Sequence, residues 1–130
     1  MVAVVVAGIL AAAAYPAMTS FIQRSRRADA IGVLTIVVQA QERYRSNHGA
    51  YADSVEALNV NVAAAKHYDI SLAGVDEPPS FVSGYIVTAT PRATSPQAYD
   101  TKCTTLGVKL IGSQFYYVAT GTDEAHCWPK

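Results

Sequence analysis

The sequence has no charged residue in its first 23 positions, Met1 to Gln23, and no excess of either sign of charge overall. Ten lysines and arginines balance ten acidic residues, so the formal net charge of the 130-residue chain is zero. This balance gives the whole chain no general attraction to nucleic acid or anionic lipid. About 25 residues form the apolar segment, which leaves roughly 100 residues for one folded domain.

Catalytic and metal-binding motifs are also missing. No Gly-x-Ser-x-Gly run supports a hydrolase, and no Cys/His cluster supports zinc. Isolated candidates are scattered: Ser80, Ser83, His67 and Asp69 for a triad, and His48, His67 and His126 for a metal. Asp123-Glu124 lacks the further oxygen ligands that calcium needs. We therefore expect no catalytic residue, no metal, no cofactor and no enzymatic activity.

The chain has only two cysteines, Cys103 and Cys127. In a membrane-anchored chain, an even count favours a disulfide formed in an oxidising compartment, and two buried thiols are the alternative. A bridge would close a loop of about 25 residues and contribute roughly 3.5 kcal/mol in the chain-entropy description.

The uncharged segment, residues 1–23, predicts a transmembrane helix, which is either a lone anchor or a helix that packs against copies of itself. Met1 to Met18 would span about 27 Å, slightly less than a hydrocarbon core of about 30 Å. A signal peptide would carry its basic residues before the apolar run, whereas here they follow it. Gly8 and Pro16 weaken a helix, so the pattern predicts a kink or unwinding between them. The small residues permit close packing against other helices: Gly8 and Ala11, Ala12, Ala13 and Ala14.

Residues 24–130 are predicted to form a head domain that includes the second, amphipathic half of the same helix. Apolar residues recur there at helical spacing, which predicts a face that packs on the head. The predicted contact residues are Val33, Leu34, Val37, Val38 and Tyr44. Gly49 is expected to end the helix as a left-handed cap.

The remaining pattern is that of an antiparallel sheet. Alternating or β-branched runs predict strands over 67–73, 81–90 and 104–111, with a possible short fourth strand over 115–118. Asp53 or Ser54 is expected to cap a short helix in the connection. The predicted fold is α+β, with a long helix packed on a sheet of three to four strands and a tail closed by the cysteines.

The N-terminal motif resembles that of a known family. The similar run is Met-Val-x-Val-Val-x-x-Gly-Ile-Leu-Ala-Ala-x-Ala-Tyr-Pro, followed by Arg24 to Asp29. It is similar to the first helix of bacterial type IV pilins, most closely the PilE-like minor pilins. Three later segments also resemble parts of these proteins: Asn47 to Tyr51, Tyr85 to Pro91 and the terminal Cys127-Trp128. Cys103 and Cys127 then correspond to the disulfide-closed D-region, the C-terminal segment of a pilin.

This resemblance implies a structural subunit of a type IV pilus, most closely a minor pilin that takes part in filament assembly. Gly8, Ala11 to Ala14 and Pro16 would pack in the filament core. The implied partners are other pilin subunits, the inner-membrane assembly machinery and, before assembly, the membrane itself. The head would lie in the periplasm and later on the cell-surface pilus. A receptor for DNA uptake or surface adhesion, and a secretion pseudopilin, are the alternatives.

Pilins begin with a Phe-Thr-Leu-Ile-Glu block behind a basic leader, and this sequence starts beyond that block. We expect the leader to supply the cytoplasmic charges, because Arg24, Arg26 and Arg27 alone would reverse the topology under the positive-inside rule. These arginines are expected on a helix face that meets neighbouring subunits.

A ligand surface is expected on the C-terminal half, where basic residues alternate with aromatic ones. Its members would be Arg92, Lys102, Lys109, Phe115, Tyr116 and Tyr117. Because the net charge is zero, the sequence favours ordinary sheet and loop roles for these residues over a DNA-binding role.

Overall fold

A single long α-helix, α1, spans Val2–His48 in the computed structural model, which describes all residues from Met1 to Lys130. Its 47 residues correspond to a length of about 70 Å. The helix continues through Gly8 and Pro16, so the predicted unwinding does not occur in the single chain. Proline removes only its own backbone donor, and the turns on either side keep theirs. At the other end Gly49 has a φ of 77° and donates its N–H to the Arg45 carbonyl at 2.8 Å, which confirms the predicted cap.

Four strands follow and form one antiparallel sheet in the order β1-β2-β3-β4. They span Tyr68–Val75, Ser80–Pro91, Thr105–Ile111 and Gln114–Thr120. Val87 of β2 lies between Leu72 of β1 and Val108 of β3, which fixes the register of the first three strands. The three predicted strands and the possible fourth are all confirmed.

The core lies between the sheet and the second half of α1. Val33, Leu34 and Val37 are almost completely buried, as predicted, and Val38 packs at the edge of the same cluster. The sheet contributes the residues that point toward the helix: Tyr85, Val87, Ala89, Leu106, Val108 and Leu110. Full burial of each large aliphatic side chain contributes about 1.5–3 kcal/mol. The helix is thereby held on the sheet along one face.

Tyr44 is not part of this core, and the prediction for it is wrong. Its ring stacks on His48, with 4.0 Å between ring centroids, one turn beyond the last buried position of the helix. Gln41 is the buried residue at that end. Its Nε2 donates to the Ala52 carbonyl at 3.0 Å, and the Ala52 N–H donates to its Oε1 at 2.8 Å. A polar side chain is used here because it satisfies buried backbone groups of the connection.

The connection contains one short 3₁₀ helix, Glu56–Leu58. The residue before it is Val55, and no side chain caps it, so the cap predicted at Asp53 or Ser54 is wrong. A single 3₁₀ turn leaves few N–H groups unpaired, which removes the need for a side-chain cap.

The C-terminal tail is bonded to the start of β3 by the predicted disulfide between Cys103 and Cys127. Trp128 lies beside it, donates its indole N–H to the Val118 carbonyl at 2.9 Å and packs on Tyr117. Gly121 has a φ of 139°, and a Cβ there would lie 2.2 Å from the Lys102 carbonyl oxygen. The tail therefore follows β3 closely, and only glycine fits at this turn.

Candidate functional site

The head has two ends, a proximal one near the apolar segment and a distal one near the end of α1. At the proximal end, where α1 leaves the apolar segment, the loop between β2 and β3 and the C-terminal tail lie against the helix. Pro96 of that loop adjoins Thr19 and Ile22, and Pro129 of the tail adjoins Ser20. At the distal end, the turn between β1 and β2 carries Asp76 and Glu77. Exposed and half-exposed cations from distant parts of the sequence meet at the proximal end.

A buried ion pair attaches the β2–β3 loop to the helix. The Arg27 guanidinium donates from Nε to Asp100 Oδ2 at 2.5 Å and from Nη2 to Oδ1 at 2.8 Å. The Gln97 amide donates to Asp100 at 3.0 Å and to the Tyr68 hydroxyl at 2.9 Å. Burial raises the pKa of Tyr68 to about 12, so this hydroxyl stays protonated. Arg27 therefore does not meet neighbouring subunits as expected, because its charge is used inside the head.

The His67 cluster consists of Arg26, Lys66, His67 and Arg92, which come from α1, the start of β1 and the end of β2. His67 Nδ1 lies 2.6 Å from Ser95 Oγ. Partial burial, and then the nearby positive charge of Arg26, lower the pKa of His67 below 6.5, and Lys66 and Arg92 act in the same direction. Arg92 also pairs with Asp69 at 3.0 Å, and both side chains are largely exposed. Asp29 acts in the opposite direction and raises this pKa, so the imidazole has three cations and one carboxylate around it.

A second feature, the proximal groove, lies between α1 and the tail. It has a volume of about 420 Å³, and its polar lining includes Ser20, Arg24, Lys102, Asp123 and His126. Asp123 Oδ1 lies 2.6 Å from His126 Nδ1, and this hydrogen bond lowers the pKa of the Asp123 carboxyl. Arg24 and Lys102 are exposed and make no ion pair.

The predicted ligand surface is divided between three places. Arg92 and Lys102 lie at the proximal end, in the His67 cluster and the proximal groove respectively. Lys109 lies opposite Tyr116 across β3 and β4, on the side of the sheet away from the helix. Phe115 and Tyr117 line a cleft with Val38 and Thr35 on the helix side. Adjacent residues of a strand point to opposite faces, so Phe115, Tyr116 and Tyr117 of β4 cannot all lie on one surface.

Sequence reasoning missed the His67 cluster. Arg26 and Lys66 are far apart along the chain, and no spacing rule places them together. The residues weighed as a hydrolase triad lie apart. His67 contacts Ser95, Asp69 pairs with Arg92, and Ser83 donates to Asp76 at the distal end.

A long apolar helix whose second half packs on a four-stranded antiparallel sheet, with a C-terminal disulfide, is the fold of a type IV pilin. The apolar part of the helix is long enough to cross a membrane, and none of it is buried in the head. A family model described as type IV minor pilin ComP, DNA uptake sequence receptor, matches residues 16–107, well over half of the chain. The chain belongs to this minor pilin family, and the resemblance inferred from its sequence is confirmed. No curated protein matches the chain.

Proposed function

We propose that this chain is a minor subunit of a type IV pilus and that its head binds DNA through the His67 cluster. The observation that carries the proposal is the meeting of Arg26, Lys66 and Arg92 around His67, with Asp29 as the one carboxylate among them. The Arg92 backbone N–H donates to the His67 carbonyl at 2.9 Å, and Arg26 lines a cleft with Pro96 of the β2–β3 loop. All of these residues lie inside the region matched by a family described as a DNA uptake sequence receptor. The zero net charge of the whole chain argues against DNA binding. A local group of cations matters more than this overall charge, because salt screens distant charges and phosphate contacts are made at short range.

The cluster has the chemistry of a surface for the DNA backbone. Its three cations come from three separate segments of the chain, and each can contact a phosphate. Tyr99 ends the 3₁₀ helix that starts at Pro96 beside Arg26, and 82% of its surface is exposed. An exposed aromatic ring offers a stacking surface for a base. Arg92 would exchange its exposed contact with Asp69 for a phosphate at little cost.

The filament role rests on the apolar segment. Large side chains such as Val4, Ile9 and Leu10 are more than half exposed in the single chain, so they require lipid or other helices around them. We propose that Gly8, Ala11 to Ala14 and Pro16 pack in the filament core after the segment leaves the membrane. The disulfide fits a head that matures in the periplasm. Other pilin subunits and the assembly machinery would be its partners.

DNA binding is tested with the purified full chain in nonionic detergent, by fluorescence anisotropy of a labelled duplex at several salt concentrations. Replacing Arg26, Lys66 and Arg92 by glutamine removes three phosphate contacts. The slope of log K against log salt should then fall by about 2.7, at about 0.9 for each contact. The matched control, Lys109→Gln, lies away from the cluster and should keep the slope. Equal slopes in the triple variant and the wild type would refute the role of the cluster.

The filament role is tested by mass spectrometry of pili sheared from cells. A minor subunit should be present in trace amounts relative to the main pilin. Pro16→Ala should remain in the membrane fraction but enter pili less efficiently. Gly32→Ala, on an exposed part of the helix with free space for a methyl group, is the matched control. Absence of the wild-type chain from sheared pili, together with its presence in membranes, would refute assembly.

A further inference from the structure

The proximal groove begins inside the apolar segment and extends into the head. Ser20, Arg24 and Ile31 line it from one side of α1, at spacings that place them on one helix face. Lys102 and Pro129 line it from the start of β3 and from the tail. The helix is unbroken here, so the height of the groove above a membrane follows from the helix rise.

When the boundary of the hydrocarbon layer is placed at Gln23, the last residue before the charges, Ser20 lies about 4.5 Å below it and Arg24 about 1.5 Å above it. Ile31, at the upper end of the groove, lies about 12 Å above the boundary. The headgroup layer is roughly 5–7 Å thick on each side of the hydrocarbon. Lipid headgroups therefore face the lower half of the groove while the chain is anchored in a membrane.

The groove is positively charged at this level. Arg24 and Lys102 make no ion pair, whereas the charge of Arg27 is met by Asp100. Asp123 is the one carboxylate that lines the groove; it is hydrogen-bonded to His126, and its N–H donates to the Lys102 carbonyl at 3.1 Å. Arg24 and Lys102 outnumber this carboxylate, so an anionic group that enters from the membrane would meet an excess of positive charge and the Ser20 hydroxyl.

We propose that the proximal groove binds the phosphate headgroup of an anionic phospholipid before the subunit enters a filament. The bound lipid would hold the head against the bilayer in one orientation. Three features of the groove favour this ligand: its position at the headgroup layer, its continuity with the membrane segment, and its charge. They depend on membrane anchoring and not on DNA binding, which we assign to the separate His67 cluster. Each cation near an anionic surface should strengthen the interaction about fivefold.

The test uses the full chain reconstituted into vesicles with its head outside. One set contains phosphatidylcholine alone, and the other an equimolar mixture with phosphatidylglycerol. A membrane-impermeant reagent acylates exposed lysines, and mass spectrometry follows each site. We expect Lys102 to react about fivefold more slowly in the anionic vesicles, with the difference lost in high salt. Lys109, on the far side of the sheet, is the internal control and should react equally in both.

Two variants locate the effect. Arg24→Gln should remove most of the protection of Lys102, whereas Arg43→Gln, on the exposed helix surface near the distal end, should keep it. Equal reaction of Lys102 in the two vesicle types would overturn the proposal, as would an equal slowing of Lys109. Inorganic phosphate that protects Lys102 to the same extent on phosphatidylcholine vesicles would also overturn it, because the groove would then be a site for a free anion.

Discussion

Asp100→Asn should destabilise the head strongly, because it removes one partner of a buried ion pair. The Asp100 side chain has no exposed surface, and the Arg27 side chain is 11% exposed. Asparagine keeps the size of the side chain but leaves the guanidinium charge without a counter-ion. The substitution therefore isolates the electrostatic contribution from packing.

The expected loss is about 3 kcal/mol of unfolding free energy. Removing one partner of a buried pair typically costs 3–5 kcal/mol, and the partial exposure of Arg27 places this site at the lower end. The Arg92–Asp69 pair provides the matched comparison, since its side chains are 47% and 72% exposed. Arg92→Gln should cost less than about 1 kcal/mol.

Urea unfolding in nonionic detergent measures both variants. Trp128 is the only tryptophan of the chain and lies in the head beside the disulfide, so its fluorescence reports on head unfolding alone. Arg27→Met combined with Asp100→Leu should be more stable than Asp100→Asn, because no unpaired charge stays buried. If Asp100→Asn costs no more than Arg92→Gln, the pair does not attach the loop to the helix and the reasoning fails.

Three further predictions concern the disulfide, a close contact and a titrating group. Cys103→Ser should lower head stability by about 3.5 kcal/mol under oxidising conditions and not under reducing ones, and equal melting of variant and wild type in both would contradict this. Gly84→Ala should unfold the head almost completely, because the new Cβ would lie 1.9 Å from the Leu110 carbonyl oxygen. The control Gly32→Ala should be neutral or stabilising in the same melting assay. The pKa of His67 is lowered in the fold from 6.5, so the folded head binds fewer protons than the unfolded chain below that pH. The free energy of unfolding should therefore fall as the pH drops from about 6.5 toward the lower pKa of folded His67. His67→Gln should flatten this decline in urea titrations at several pH values.

The sequence predicts the elements of this fold well, because each depends on a local pattern. Helical spacing identified the face that carries Val33, Leu34 and Val37, and Gly49 marked the end of the helix. Strand alternation identified the sheet, including its short last strand. The pilin motif of the first helix led to the family that the wider comparison supports.

The proximal end could not be predicted in the same way, because it depends on contacts between distant segments. The sequence groups Arg27 with Arg24 and Arg26 as a surface arginine. In the fold its charge is paired with Asp100, which lies far along the chain. Tyr44 follows helical spacing, but its ring stacks on His48, and the polar Gln41 is buried instead. The ligand surface was misplaced because alternation along β4 puts Tyr116 on one face of the sheet and Phe115 and Tyr117 on the other.

The unbroken passage of α1 from the apolar segment into the head also determines how a filament would carry load. Tension applied to the packed apolar segments would pass along the helix axis and reach the sheet as shear. The Arg27–Asp100 pair and the aliphatic contacts further along the helix would then be strained together, because all of them resist sliding along the same axis. Contacts loaded in parallel fail at higher force than contacts that open one after another. The disulfide would keep the tail in place while the helix is pulled. Because forced unfolding is governed by the unfolding rate, the mechanical strength of the subunit would depend on that rate more than on equilibrium stability.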